Sequence, residues 1–469
     1  MATLIKNGTI VTALDERAGD ILCEDGKIAA IGENLNAGAS SEVIDASGQY
    51  VFPGGVDPHV HMALPFMGTV SLDDFETGGA AGVAGGTTTF IDFVIPGRED
   101  DAMEVLAAWR EKSKIATCDY TYHMAVTSWG DRSDEWLRRC AREEGITSIK
   151  VFLAYKGAIG IEDDELIQAM KTAAKYGMIV TIHAEHGEMV VELQNRLFGE
   201  GRTAPKYHAQ SRPSPVEGEA TNRVLMIAEQ TGATAYVVHM TCAESVKALA
   251  EARERGQLCW GETCPQYLLL DDSVYEKPGF DGAAYVMSPP IRPKGHQELL
   301  WNALSSGILQ TVGTDHITFS RKQKEMGIDD FRMIPNGAGG IQDRLSLLWH
   351  HGVSTGRLDV HRFVDLVSTR PAKIFHLYPR KGSITLGADA DLVVWDPEGT
   401  RTISAKTHFH RNDESIWEGF RVKGVPSTVV LGGRVAYRDG DLRVERGSGR
   451  FLARSASPDA EPALARSAT

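Results

Sequence analysis

One pattern constrains this chain more than any other. From residue 50 to residue 316, short apolar, β-branched runs alternate with amphipathic stretches of helical spacing. The repeat recurs roughly once per ~30–40 residues, the length that a strand, a crossover helix and two turns require. It therefore reads as βα units feeding a parallel sheet. The strand candidates are Tyr50–Phe52, Thr87–Ile95, Tyr120–Val126, Ser148–Tyr155, Met178–Glu185, Thr234–Thr241, Leu258–Leu270 and Leu309–His316. Helix candidates between them include Met103–Ser113, Ser133–Glu144, Asp163–Tyr176, Glu217–Thr231, Ala243–Arg255 and His296–Ser306. Eight such units predict an α/β fold, a (β/α)8 TIM-like barrel with its chemistry at the C-terminal strand ends. A doubly wound open sheet is the alternative. No Gly-x-Gly-x-x-Gly turn follows any strand, which disfavours a dinucleotide-binding version.

The flanks read differently. Residues 3–50 alternate as short strands, with Asp25-Gly26 as a hairpin signal. Beyond three closing helices, strands return at Ala388–Trp395 and Thr428–Tyr437. Each half alone leaves an apolar face open, so the two are expected to form one composite β sandwich. The expected division is 1–50 and 379–446 for that smaller β domain, 51–378 for the catalytic barrel, and 447–469 for a C-terminal tail. The tail lacks periodicity and is expected to be disordered or to order only against another subunit.

A formal net charge of −14 argues against nucleic acid or an anionic membrane surface as partner. No signal-peptide pattern opens the chain, and no apolar run is long enough to span a bilayer. Six scattered cysteines without a Cys-x-x-Cys pair fit free thiols in a reducing cytoplasm. Any metal must then be held by histidine, carboxylate or something less usual.

Polar residues stand near the ends of the candidate strands, where a structural residue would be Val or Ile: His59 and His61, Lys150, His183, His239 and Asp315. Residues i and i+2 of a strand share a side, so His59 and His61 can converge on one point. Burying such a group unpartnered costs roughly 1–3 kcal/mol, and a charge more. A metal centre satisfies all of them together. His59, His61 and Asp315 would hold one ion, His183 and His239 a second. Lys150 cannot ligate as an ammonium. Carboxylated by CO2 it becomes an anionic carbamate able to bridge two metals; the alternative is a buried lysine paired with a carboxylate. His123, His186, His208, His316 and His408 read as hydrogen-bonded or solvated.

The chain resembles the dihydropyrimidinase/D-hydantoinase group of cyclic amidohydrolases from about Leu4 to Arg446. The resemblance rests on Gly54–His61, Gly85–Thr89, Lys150, His183-Ala184-Glu185, Val238-His239, Gly261–Tyr267, Met287–Arg292, Gly313–His316 and Ile334–Gly337. It implies the barrel, the composite sandwich, two Zn2+ per subunit bridged by N6-carboxylysine at Lys150, and usually a homotetramer. It also implies the reaction: a metal-bridging hydroxide opens a 5,6-dihydropyrimidine or a 5-substituted hydantoin. Asp315 would be base and then acid. Tyr155 would stabilise the developing oxyanion, and Ser288 and Asn336 would hold the ring imide. By spacing alone, Ser288 before Pro289-Pro290 and Asn336-Gly337 are also turn residues, and Tyr155 a rim aromatic.

In relatives that cleave dihydroorotate, an arginine shortly after His-x-His grips the substrate carboxylate. Here the apolar loop Met62–Met67 follows instead. It favours neutral rings, with Met62, Leu64, Phe66 and Phe152 as candidate walls of the exocyclic pocket. Allantoinase, dihydroorotase and a non-catalytic scaffold of the collapsin response mediator type are the competing readings. The first two predict a polar or cationic group near Met62. The scaffolds have lost metal ligands that this chain retains.

Overall fold

The computed structural model describes residues 2–38 and 41–456. Eight parallel strands, Gly55–Val60, Thr87–Val94, Asp119–Ala125, Ser148–Phe152, Ile179–His183, Thr234–Val237, Cys259–Thr263 and Thr311–Val312, follow one another around a barrel. The last meets the first through a parallel bridge between Val60 and His316. The Asp315 amide donates to His59 O at 3.0 Å and the His61 amide to His316 O at 2.9 Å. Every residue of the second to fifth strands is buried. Helices cover the outside of such a sheet and side chains fill the inside, so continuous apolar runs are what it requires.

Two strand assignments differ from the sequence reading. Tyr50–Phe52 is not the first barrel strand. Tyr50–Pro53 pairs with Thr3–Val11 and Leu392–Thr402 in the other sheet, and the barrel begins after the turn, at Gly55. Two apolar strands joined through Pro-Gly-Gly look like one run until their hydrogen-bond partners are known. Leu258–Leu270 is likewise two elements: a strand to Thr263, then the helix Pro265–Leu269, which proline opens in its first turn.

The N- and C-terminal strands pair in a separate nine-stranded mixed sheet, in which the strand from Leu392 lies beside Tyr50–Pro53. Thr3 Oγ1 donates to Gly433 O at 2.7 Å and Ile28 N to Ala388 O at 3.0 Å. The sheet thus curls around its own apolar core of Ile5, Ile10, Ile21, Val51, Leu392 and Val430. Buried Lys381 joins this unit to the barrel, with Asp119 at 2.6 Å on one side and Asp389 at 3.0 Å on the other.

The tail also departs from expectation. Residues 447–456 lie against this chain's own barrel: Leu452 N donates to Tyr120 O at 2.7 Å, and Tyr120 N to Arg450 O at 3.0 Å. Leu452 and Arg454 are buried there. Single-strand backbone pairing needs no hydrophobic period, so composition did not reveal it. Residues 457–469 lie outside the described residues. Among the described residues, no helix is long and apolar enough to cross a membrane.

Candidate metal centre and cleft

The barrel mouth brings together all nine site residues read from the sequence. His59, His61, Lys150, Tyr155, His183, His239, Ser288, Asp315 and Asn336 line one cleft. His59 is the penultimate residue of the first strand and His61 lies just past its end. Lys150 is in the fourth strand and His183 closes the fifth. His239 and Asp315 follow the sixth and eighth strands, each with positive φ, 40° and 53°. That conformation is costly for a non-glycine residue and is held here by the surrounding bonds, which re-aim the two side chains inward.

His59 Nε2 and His61 Nε2 stand 3.2 and 3.1 Å from Asp315 Oδ1. The ligand atoms of these three residues lie within 4.8 Å of one another. The His183 and His239 ring centroids are 4.7 Å apart, and His239 is 5.4 Å from His59. Lys150 Nζ sits between the Phe93 and Phe152 rings, at 4.8 and 4.9 Å, fully buried and with no hydrogen-bond partner. Burial pulls its pKa down to about 8, against the opposing pull of Asp315 and Glu262. Burial raises the Asp315 carboxyl, but His59 and His61 more than offset this and hold it well below the usual carboxylate range.

Carboxylates outside the predicted set fix the imidazoles. Fully buried Glu262 accepts from His59 Nδ1 at 2.8 Å, from the His239 amide at 3.2 Å and from the Tyr236 hydroxyl at 2.8 Å. Glu185 bonds His183 Nε2 at 2.7 Å and is itself paired with buried Arg212. Both acids fall inside motifs that the sequence marked, yet only the fold shows which nitrogen each one holds. Beneath them, Arg344 is wholly buried and donates to Val56 O and Val312 O, both at 3.0 Å, bracing the first strand against the eighth.

Tyr155, half-buried with φ of 59°, lies 5.3 Å from His183 and 5.7 Å from Phe66, ring to ring. Burial raises its phenol pKa, and Arg212, Ser288 and Asn336 draw it part of the way back. Asn336 Nδ2 donates to Ser288 Oγ at 3.0 Å. The loops carrying these two residues are tied by Lys324, which sequence reasoning missed. Its buried ammonium reaches Val286 O, Pro335 O and Gly337 O at 3.2, 3.1 and 2.9 Å. Gly337 has φ of 145°, and a Cβ there would meet Ile317 Cγ2 at 2.1 Å, so no side chain fits.

Leu64, Phe66, Ile95, Phe152, Ile159 and Ile317 supply the apolar wall. Met62 is not part of it: its sulfur packs under the helix Thr77–Ala84, 2.3 Å from where a Cβ on Gly78 would stand. Among the described residues lining the cleft, Lys150 is the sole lysine or arginine.

The amidohydrolase family model matches residues 50–436. A D-hydantoinase of Geobacillus stearothermophilus is 48% identical over 457 residues, covering 97% of each chain. A dihydropyrimidinase of Arabidopsis thaliana is 43% identical, over 96% of this chain and 85% of its own. The crystal structure of dihydropyrimidinase from Brevibacillus agri superposes with a TM-score of 0.96 at 44% identity, over 97% of this chain and 99% of that one.

Proposed function

We propose, from the premise that this chain belongs to the amidohydrolase family, that it hydrolyses the ring amide of 5,6-dihydropyrimidines and 5-substituted hydantoins. One observation carries the reading. Four imidazoles, a lysine and an aspartate converge at the floor of an apolar cleft that, among the described residues, has no guanidinium to hold a substrate carboxylate.

The residues fit a binuclear zinc centre. His61 Nδ1, His239 Nδ1 and Lys150 Nζ are buried without hydrogen-bond partners, which costs roughly 1–3 kcal/mol each unless something else satisfies them. His59, His61 and Asp315 would hold one ion and His183 and His239 the other, with Lys150 as the carbamate between them. A lysine whose pKa is about 8 keeps part of its population neutral near pH 7, the form that adds CO2. Bound there, the ions would supply Lewis acidity and would lower the pKa of a water toward ~7.

The chain's own groups do the rest. Asp315 Oδ1, ionised and aimed into the cleft, takes the proton of the attacking water and returns it to the departing ring nitrogen. The Tyr155 hydroxyl, kept protonated by burial, donates to the carbonyl oxygen as it gains charge. Ser288 and Asn336, set by the Lys324 clamp, orient the ring. The apolar wall excludes water and takes the 5-substituent.

Steady-state comparison of dihydrouracil, hydantoin, dihydroorotate and allantoin on zinc-loaded protein tests this reading. Turnover of the first two is expected. A preference for dihydroorotate or allantoin, or no turnover of any ring, would overturn it. Helices Gly187–Gly199 and Ser214–Thr231 expose Met189, Val191, Phe198 and Met226, which supports a homotetramer, checked by light scattering.

A further inference from the structure

We propose that Asp343, His408 and His410 form a second metal site, structural rather than catalytic, for a divalent transition ion such as zinc. Asp343 precedes the helix Arg344–Leu348 below the barrel mouth, and the two histidines follow the long strand Leu392–Thr402 of the other sheet. One donor atom from each residue lies within 4.8 Å of the others. Tetrahedral zinc spaces its ligands about 3.4 Å apart, so small side-chain rotations close the set. The His408 and His410 rings are 4.1 Å apart. His408 Nε2 stands 2.9 Å from Asp343 Oδ2, with both side chains about 1% exposed.

The bonding of these groups points to a missing ligand. Both nitrogens of His408, both of His410, and Asp343 Oδ2 are buried without a properly directed hydrogen bond. The sequence reads His408 as hydrogen-bonded or solvated; its ring is buried, and its 2.9 Å approach to Asp343 Oδ2 lacks hydrogen-bond direction. A neutral imidazole has one donor and one acceptor, and burying two such rings with neither satisfied costs several times the ~1–3 kcal/mol of a single orphan. Other buried histidines nearby show the contrast: His123 bonds Ser148 at 2.6 Å and Pro58 O at 3.0 Å, and His316 bonds Asp73 at 3.2 Å and the Gly340 amide at 3.1 Å.

The charges agree. Asp343 Oδ1 pairs with the Arg401 guanidinium at 2.9 Å, which leaves Oδ2 toward the histidines. A dication there would staple the surface segment 403–412 to the element that carries Arg344. It would thereby tie the chain after the strand Leu392–Thr402 to the barrel, behind His316.

Anomalous diffraction at the zinc edge, on crystals of the zinc-loaded full chain, reads the site directly. A peak among Asp343, His408 and His410, besides those at the barrel mouth, is expected. A map with the barrel mouth occupied and no peak there overturns the proposal. Metal analysis of the full chain gives a second reading. His410→Gln should lose one equivalent of zinc relative to wild type and keep its dihydrouracil turnover within about twofold. It should also lose the part of the thermal shift that chelation produces in wild type. Lys150→Ala should keep that one equivalent. Equal zinc in wild type and in folded His410→Gln overturns the assignment; should that variant not fold, His408→Gln takes its place.

Discussion

Glu262→Gln tests whether the imidazoles are held by charge or only by shape. The carboxylate is fully buried and accepts three hydrogen bonds, from His59 Nδ1, the His239 amide and the Tyr236 hydroxyl. Glutamine is isosteric. Its oxygen can face His59 and His239 while its amino group meets Tyr236, whose hydrogen can turn to Thr311 Oγ1. All three partners stay satisfied and the fold should survive. What disappears is the negative charge that fixes the His59 tautomer and strengthens its outward nitrogen as a ligand. Removing such a partner typically costs ~10–100-fold in metal affinity, about 1.4–2.7 kcal/mol. Alanine is a different experiment: it strands three buried donors at roughly 1–3 kcal/mol each and should unfold much of the protein. The assay is zinc competition against a chromophoric chelator, with circular dichroism as the control for folding. Folded Glu262→Gln that binds zinc within twofold of wild type would refute the reasoning.

Three further outcomes are expected. Lys150→Ala should lose metal and activity, with partial rescue by a short-chain carboxylic acid; full activity without rescue removes the carbamate. Lys324→Met leaves the Pro335 and Gly337 carbonyls without their donor, each worth ~1–3 kcal/mol, while Val286 O keeps the Gly337 amide. The Ser288 and Asn336 loops should loosen, raising KM for dihydrouracil about tenfold or more at unchanged zinc content, and an unaltered KM counts against the clamp. Asp92 is buried, which raises its carboxyl pKa from 3.8 to about 7 despite bonds from Met62 N at 2.8 Å and Trp109 Nε1 at 2.9 Å. Between those values the native state keeps a proton that the unfolded state has lost. Its contribution is therefore full below pH 3.8 and is lost as pH rises to about 7, on the order of 4 kcal/mol. Urea unfolding from pH 5 to 8 should show wild type losing stability relative to Asp92→Asn, and parallel curves would refute this.

The barrel was legible because a parallel strand buried on both sides must be apolar throughout, and each of the six departures from that rule stood out. His59, His183 and Asp315 were visible as polar residues where Val or Ile belongs, and the structure gathers them at one mouth. Glu262 and Glu185 lay inside the marked motifs, but their roles depend on His59 and His183, 203 and 2 positions away, meeting them at 2.8 and 2.7 Å. Lys324 carried no signal, since its three carbonyl partners are main-chain atoms that any residue supplies. Met62 looked like a pocket wall because apolar character shows that a side chain is buried, not against what.

The amino-acid order alone determined the alternation of strand and helix, the face each strand must hide, and the kinds of donor available for chemistry, because these follow from local periodicity and from side-chain identity. The tertiary structure decided that Tyr50–Pro53 belongs to one sheet and Gly55–Val60 to the next, that residues 447–456 lie on the barrel, and that Asp343 meets His408 and His410. Those are pairings between distant segments. They are selected by which backbone and side-chain groups can satisfy one another in space, and no local window of the chain contains both partners.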